Sequence, residues 1–259
     1  MFSLKNRIAL VTGGGRGIGR AIEIALADAG AMVGVTARSK DELDEVVGAI
    51  AAKKGKAAPI VADLTDKNGP TSVIEQTNAA LGPIDILVNN AGIGSSSNPK
   101  PVAEFDDAFW DLSLLLNLTV PYKLSKAVLK HMRVKCWGRI INIASINGKL
   151  PSLHGAAYAA SKHGLLGLTR TLALEVAKEG ITVNAICPGP VRTIMNDKRL
   201  EYDAARRGMT FAEIEKSMTP IGGRLEPEDI APLALYLASN EARMVTGQAY
   251  NICGGVLLY

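Results

Sequence analysis

Tyr158 and Lys162 stand four residues apart in Tyr158-Ala159-Ala160-Ser161-Lys162, a spacing that puts both on one helix face, one turn apart. A phenol titrates near pH ~10, whereas a general acid or base works best with a pKa near the working pH. An ammonium roughly 4 Å away at an effective dielectric of about 20 would favour the phenolate by on the order of 4 kcal/mol, or about 3 pKa units, with burial of the phenolate working against it. The pair is therefore read as an acid–base catalyst. The same spacing also fits a packing tyrosine beside a solvated lysine, and the rest of the chain must decide.

The elements that would position such a pair begin near the N-terminus. The apolar run Ile8-Ala9-Leu10-Val11 leads into Thr12-Gly13-Gly14-Gly15-Arg16-Gly17-Ile18-Gly19, and a helical pattern follows from Arg20 to Ala29. A strand thus feeds a glycine turn that opens a helix. Glycines let the backbone approach a pyrophosphate closely, and the helix N-terminus offers free N–H groups and a positive dipole end.

Taken together, the glycine segment and the Tyr–Lys pair resemble the short-chain dehydrogenase/reductase family over almost the whole chain, closest in character to β-ketoacyl and polyketide-type ketoreductases. Thr12, Gly13, Gly17 and Gly19 match the family's cofactor turn, Asn89-Asn90-Ala91-Gly92 its NNAG motif, and Ser145, Tyr158 and Lys162 its catalytic serine, tyrosine and lysine. Asn117 falls where the family carries a fourth catalytic residue, Pro188-Gly189 matches the motif after the sixth strand, and Thr193 stands where a threonine meets the nicotinamide carboxamide. The resemblance extends the expected cofactor contacts to Gly15, Arg16, Ile18, Arg38, Asp63, Leu64, Asn90, Ala91, Gly92 and Val191, with Tyr158 and Lys162. It implies that Ser145 and Tyr158 bond a substrate carbonyl, that a nicotinamide delivers hydride, and that Tyr158 protonates the alkoxide. Lys162 would tune the tyrosine and bond the nicotinamide ribose.

Strand-like runs at 7–12, 32–36, 58–62, 84–89, 138–144, 181–186 and 248–252 alternate with helical stretches at about 17–29, 40–54, 70–81, 106–134, 156–179, 197–217 and 227–239. This alternation predicts an α/β fold, a Rossmann-like, doubly wound, seven-stranded parallel sheet with helices on both faces. Near-continuous apolar runs such as Ile84-Asp85-Ile86-Leu87-Val88 fit strands buried on both sides. No linker or repeat divides the chain, so residues 1–259 are expected to form a single dinucleotide-binding and catalytic domain with a substrate-loop insertion at about 193–222.

Cofactor choice is read at the end of the second strand, where a carboxylate would meet a ribose diol and a cation a 2′-phosphate. The chain there runs Val35-Thr36-Ala37-Arg38-Ser39, with no carboxylate and one planar guanidinium fork. Arg16 matches a second basic position of phosphate-binding members, so NADP(H) is favoured, while NAD(H) stays open if both arginines face solvent. Asp63 is placed against the adenine by resemblance, or caps a helix.

Composition agrees with this reading. A chain of 259 residues with 47% hydrophobic residues can bury one substantial core. The net charge of +4 is modest and dispersed, which argues against nucleic acid as a partner. Cys136, Cys187 and Cys253 are odd in number and lack metal-ligand spacing, so reduced thiols, no metal site and a cytoplasmic location are expected. No apolar run reaches the ~20 residues of a membrane span. The expected partner is a small-molecule carbonyl or alcohol substrate, and the helices at 106–134 and 156–179 match those through which family members form homotetramers or homodimers.

Three further readings concern the site. Pro121 lacks an N–H, so the carbonyl of Asn117 loses its helical partner and is free for a water in a proton relay, or else the proline is an ordinary kink. Among the histidines, His131 and His163 are read as structural or solvated, and His154 as a candidate substrate contact. The charged run Asp197–Arg207 is a solvated helix face or a cationic surface for the phosphates of a coenzyme A or carrier-protein thioester. The C-terminal Asn251-Ile252-Cys253-Gly254-Gly255 followed by Tyr259 resembles the ends of some polyketide and fatty-acid ketoreductases, a resemblance that implies β-ketoacyl substrates. Polyols, steroids and small cyclic alcohols are the alternative substrates, and a non-catalytic dinucleotide sensor is the alternative class.

Overall fold

The computed structural model describes residues 2–259. Its strands are β1 (Ile8–Thr12), β2 (Met32–Ala37), β3 (Lys56–Val61), β4 (Ile86–Asn89), β5 (Gly138–Ile143), β6 (Ile181–Pro188) and β7 (Ala249–Ile252). All pair in parallel in one sheet of order β3-β2-β1-β4-β5-β6-β7. The chain builds outward from β1 to β3, then returns to place β4 on the other side of β1. That reversal opens a crevice at the carboxyl ends of β1 and β4, where ligands bind in such sheets. Pro59 lies in β3, an edge strand, where a missing ladder donor is tolerated.

The helices are α1 (Gly17–Asp28), α2 (Lys40–Ala52), α3 (Gly69–Ala80), α4 (Asp107–Leu114), α5 (Val120–Lys135), α6 (Ala156–Val176), α7 (Ile194–Arg207), α8 (Phe211–Lys216) and α9 (Pro227–Ala238). Alternate strand residues feed the two layers. Ala9 and Val11 face a core built with Ile22, Leu26, Leu43, Val46, Ile230 and Leu237 of α1, α2 and α9. Leu10, between them, faces the opposite core, with Val73, Leu124, Val128 and Leu172 of α3, α5 and α6. The period of two along a strand thus divides the apolar residues between both faces.

Two long stretches depart from the expected pattern. The helix expected over 106–134 is interrupted by a π-helical turn at Leu115–Thr119, in which the Val120 N–H bonds the Leu115 carbonyl, five residues back. Pro121 in the first turn of α5 supplies no donor, so the ordinary four-residue ladder cannot run through this point. The helix expected over 197–217 breaks at Gly208, whose φ of +66° ends α7, and Thr210 with Glu213 forms a capping box that starts α8.

Two buried charges tie the end of the sheet remote from the crevice. Asp85, 1% exposed, accepts from the Ile8 N–H at 3.1 Å and pairs with Lys135 Nζ at 2.6 Å, with His131 Nε2 at 3.6 Å. Arg139, 2% exposed, donates to the carbonyls of Ser239, Gly138 and Gly180 and stacks on Trp137, on which Arg7 also stacks. Burial pushes its guanidinium down to about 10. Asp85→Ala leaves the Ile8 N–H without its acceptor and the partly exposed Lys135 without its partner, and is expected to cost about 1–3 kcal/mol in urea unfolding, no measurable loss marking the cluster as incidental.

Candidate active site

The turn after β1 is held by the end of β4. Thr12 Oγ1 accepts from the N–H groups of Asn90 and Ala91, both at 2.9 Å, and Asn90 Nδ2 donates to the carbonyls of Thr12 at 2.9 Å and Gly13 at 3.0 Å. This close approach is why glycine is needed here. A Cβ on Gly19 would stand 2.3 Å from the Gly13 carbonyl, and one on Gly13, whose φ is +67°, 2.9 Å from the Ala91 Cα. Behind the turn, the space a Cβ on Gly14 would fill is taken by the carboxyl of Glu23, which is fully buried with both oxygens unpartnered. Burial pushes that carboxyl well above the usual carboxylate range.

Ser145, Tyr158 and Lys162 meet beyond the end of β5. Ser145 is the N-cap of a short turn at Ile146–Gly148, its Oγ accepting from the Asn147 N–H at 3.1 Å. Tyr158 and Lys162 lie on the first turns of α6, with Lys162 Nζ 5.7 Å from the Tyr158 ring centroid and donating to the Ile143 carbonyl at 2.8 Å. Asn117, in the π turn, is fully buried and its side chain is wholly engaged. Oδ1 accepts from the Ile93 N–H, and Nδ2 donates to the Ile93 carbonyl at 3.0 Å and to Ser161 Oγ at 3.1 Å. Ser161 in turn donates to the Tyr158 carbonyl at 2.8 Å. A Cβ on Gly92 would stand 2.9 Å from Asn117 Oδ1, so the NNAG glycine makes room for this clamp.

The expected lowering of the phenol does not arise from the chain's own groups. Burial pushes Tyr158 up, the neighbouring Ser145 side chain pulls the other way, and burial pushes Lys162 down to about 8. Desolvation penalises phenolate and ammonium alike, and it is the largest influence on both groups.

At the other end of the crevice, Pro188-Gly189 closes β6, and a Cβ on Gly189 would stand 2.8 Å from the Cys253 Cα. Val191 pairs with Leu225, and Thr193 is the N-cap of α7, its methyl 3.2 Å from where a Gly17 Cβ would be. Ile18 packs against the core beneath α1, and Leu64 is buried. A hollow of about 480 Å³ beside β3 is lined by Arg38, Ala62 and Asp63. Asp63 does not cap a helix. It accepts from the Thr65 N–H and Oγ1, bonds that hold its carboxyl below the usual range, and lies 3.9 Å from Arg38. Arg16 does not project freely either, because it donates to Glu42 at 3.0 Å. The clamped glycine turn, the crevice and the two arginines fit a dinucleotide.

Around the mouth, α7 staples the flanking loops. Arg199 donates to Asp203, to Ser95 Oγ and to the Leu153 carbonyl, Ser96 Oγ donates to the Met195 carbonyl, and Arg224 binds Asp197 and Glu215. Arg199 is therefore an internal staple, neither a free cation nor a solvated face. His154, at a left-handed φ of +57°, has Nδ1 2.6 Å from Tyr202 Oη and so faces α7. His131 lies by Asp85, and His163 contacts the Ala159 carbonyl one turn back. Sequence reasoning missed Ser161, Glu23 and Glu42. The first sits inside the Tyr–Lys motif itself, while the other two meet the glycine turn only through the fold.

The buried ammonium gives a pH dependence with a definite sign. Below about 8 the folded and unfolded chains both carry the Lys162 proton and the full burial penalty applies, whereas between about 8 and 10.5 only the unfolded chain holds it, so rising pH favours folding. Lys162→Met is expected to gain up to about 3 kcal/mol in unfolding measurements at pH 7, with the gain shrinking toward pH 10. An equal gain at both pH values would show that the ammonium is not what burial penalises.

With the geometry in place, three comparisons bear on what the chain is. A family model described as short chain dehydrogenase matches residues 7–204. The 3-oxoacyl-[acyl-carrier-protein] reductase FabG of Haemophilus influenzae is 39% identical over 255 residues, covering 98% of this chain and 100% of that protein. The D-beta-hydroxybutyrate dehydrogenase of Rhizobium meliloti is 36% identical, with 96% and 98% covered. A single-residue variant of actinorhodin polyketide ketoreductase, solved with NADPH, superimposes with a TM-score of 0.93 at 36% identity and complete coverage of both chains. The chain belongs to the short-chain dehydrogenase family and is an oxidoreductase.

Proposed function

We propose that this chain is an NADP(H)-dependent ketoreductase that interconverts a ketone, of the β-ketoacyl class, and a secondary alcohol. The observation that carries this reading is the convergence of Ser145, Tyr158 and Lys162 beside the crevice into which the clamped glycine turn opens. A bound reduced nicotinamide supplies the hydride. Ser145 and Tyr158 hold the carbonyl oxygen, and the Tyr158 phenol, kept protonated by its burial, gives its proton to the developing alkoxide. Lys162 keeps a positive charge next to that oxygen and bonds the nicotinamide ribose. Asn117 acts through its backbone, since its side chain is spent on Ile93 and Ser161 and Pro121 cannot bond its carbonyl. That carbonyl holds the water that returns a proton through Lys162.

The substrate class rests on two supports. A 3-oxoacyl group and a β-hydroxybutyrate, the compounds in the names of two relatives, both carry oxygen on the third carbon. Leu153, Ile194 and Met195 also leave apolar surface exposed on the segments that border the site, whereas Arg199 and Arg206 both pair with Asp203. The acyl chain, more than a phosphate tail, is then what the mouth recognises. NADP(H) is supported by the absence of a carboxylate at the end of β2, by Arg16 and Arg38, and by the NADPH in the actinorhodin ketoreductase structure.

Assembly and location are part of the same reading. Tyr122, Val134 and Leu174 leave apolar surface exposed on α5 and α6, as packing of those helices against further copies in a homotetramer requires. No described helix is long and apolar enough to cross a membrane, and the unpaired Cys136, Cys187 and Cys253 accord with the reducing, cytoplasmic setting of this reading. Light scattering at working concentration is expected to give a tetramer, and a monomer would refute the assembly.

Tyr158→Phe is expected to bind NADPH within about twofold of the wild type while kcat for 3-oxoacyl thioesters falls about 10²–10⁴-fold; near-normal turnover would remove Tyr158 from the role of acid. A panel of 3-oxoacyl thioesters, polyols, steroids and cyclic ketones, assayed with NADPH and NADH, is expected to favour the first with NADPH. Arg38→Asp is expected to reduce the NADPH preference by about 1.5–3 kcal/mol, and an unchanged preference would show that Arg38 does not discriminate.

A further inference from the structure

Glu42 turns back from the first turn of α2 onto the glycine turn. Ser39 caps that helix, accepting from the Glu42 N–H, while the Glu42 side chain reaches Arg16, Oε1 to Nη1 at 3.0 Å. It lies there because residue 15 is glycine. A Cβ on Gly15 would stand 2.9 Å from the Glu42 Cβ and 2.6 Å from Oε2, so any side chain at 15 would displace the carboxylate.

The carboxylate therefore occupies the guanidinium that a 2′-phosphate would use. Arg38, the other cation, has Asp63 at 3.9 Å. Each arginine thus has a carboxylate beside it, which lowers the positive charge on offer to a phosphate. Both pairs are largely exposed, so each is weak by itself. A doubly charged phosphate can displace Glu42 from Arg16, but it then has a negative charge for a neighbour.

We propose that Glu42 is a specificity-determining residue, an internal anion that competes for Arg16 and holds down the preference for a 2′-phosphorylated dinucleotide over its unphosphorylated counterpart. This rests on the NADP(H) reading of the same site. It predicts a dinucleotide site whose preference is set by the balance of Arg16 and Arg38 against Glu42 and Asp63, not by the arginines alone.

The test is calorimetric titration of the full-length protein with NADP⁺ and with NAD⁺, with no substrate and no turnover. Glu42→Gln, which keeps the shape and removes the charge, is expected to tighten NADP⁺ about three- to tenfold and leave NAD⁺ within about twofold. Glu42→Ala is expected to tighten NADP⁺ as well and to leave NAD⁺ within about twofold, so that the NAD⁺ titration reports that each variant is folded. An NADP⁺ affinity that is unchanged or weaker in both variants would overturn the proposal, since Glu42 would then be a neutral bystander or a support that orients Arg16. A wild type that binds NAD⁺ as tightly as NADP⁺ overturns the NADP(H) reading instead, and tightening of NADP⁺ in Glu42→Gln would still support Glu42.

Discussion

The site depends on one tie, the bonding of Asn90 and Ala91 to Thr12 and Gly13. It joins the ends of β1 and β4, strands whose neighbours in sequence lie on opposite sides of the sheet. Without it, the crevice would be a gap between two independent loops. With it, the glycine turn is a rigid cradle, and the segment running on from Gly92 carries Ile93 to Asn117. From Asn117 the bonding continues through Ser161 to the backbone of Tyr158. The nucleotide turn and the tyrosine are thus connected through a short run of backbone and the side chains of Asn117 and Ser161.

Much of this was legible in the sequence, and the reasons differ by element. The inner strands are apolar runs buried on both faces, so hydrophobicity locates them to within a few residues, as at Ile140-Ile141-Asn142-Ile143, whereas the edge strands β3 and β7 are only partly buried. Tyr158 and Lys162 are local, four residues apart, and a helix places them without help. The helix expected over 106–134 failed where Pro121 forces an extra residue into the turn, and the one over 197–217 failed at Gly208, a left-handed terminator whose signal was present and unread. What no local pattern could show is pairing across the fold. Arg16 is as readable a cation as any, but Glu42 is 26 residues away and meets it only because α1 and α2 pack side by side.

The site is assembled at a cost in stability. Lys162 is held nearly buried with a carbonyl for a partner, and Glu23 sits behind the glycine turn with no partner at all. Neither would be chosen for packing. They are offset by ordinary means elsewhere, since the two apolar layers and the Asp85 cluster at the far end of the sheet carry no role in the crevice. Stability and chemistry are thereby separated along the strands, with one end of the sheet serving each.

The π turn at Leu115–Thr119 has a meaning in chain length. An α-helix turns through about 100° per residue, so the extra residue rotates everything before it relative to everything after it. Deleting one residue there, other than Asn117, would leave every side chain of the site in the sequence, yet it would swing α4 around its axis and take Asn117 off Ile93. Insertion and deletion, rather than substitution, are the changes this stretch is least able to absorb, and relatives that differ in length between Asp107 and Lys135 would have to differ in how they hold the tyrosine.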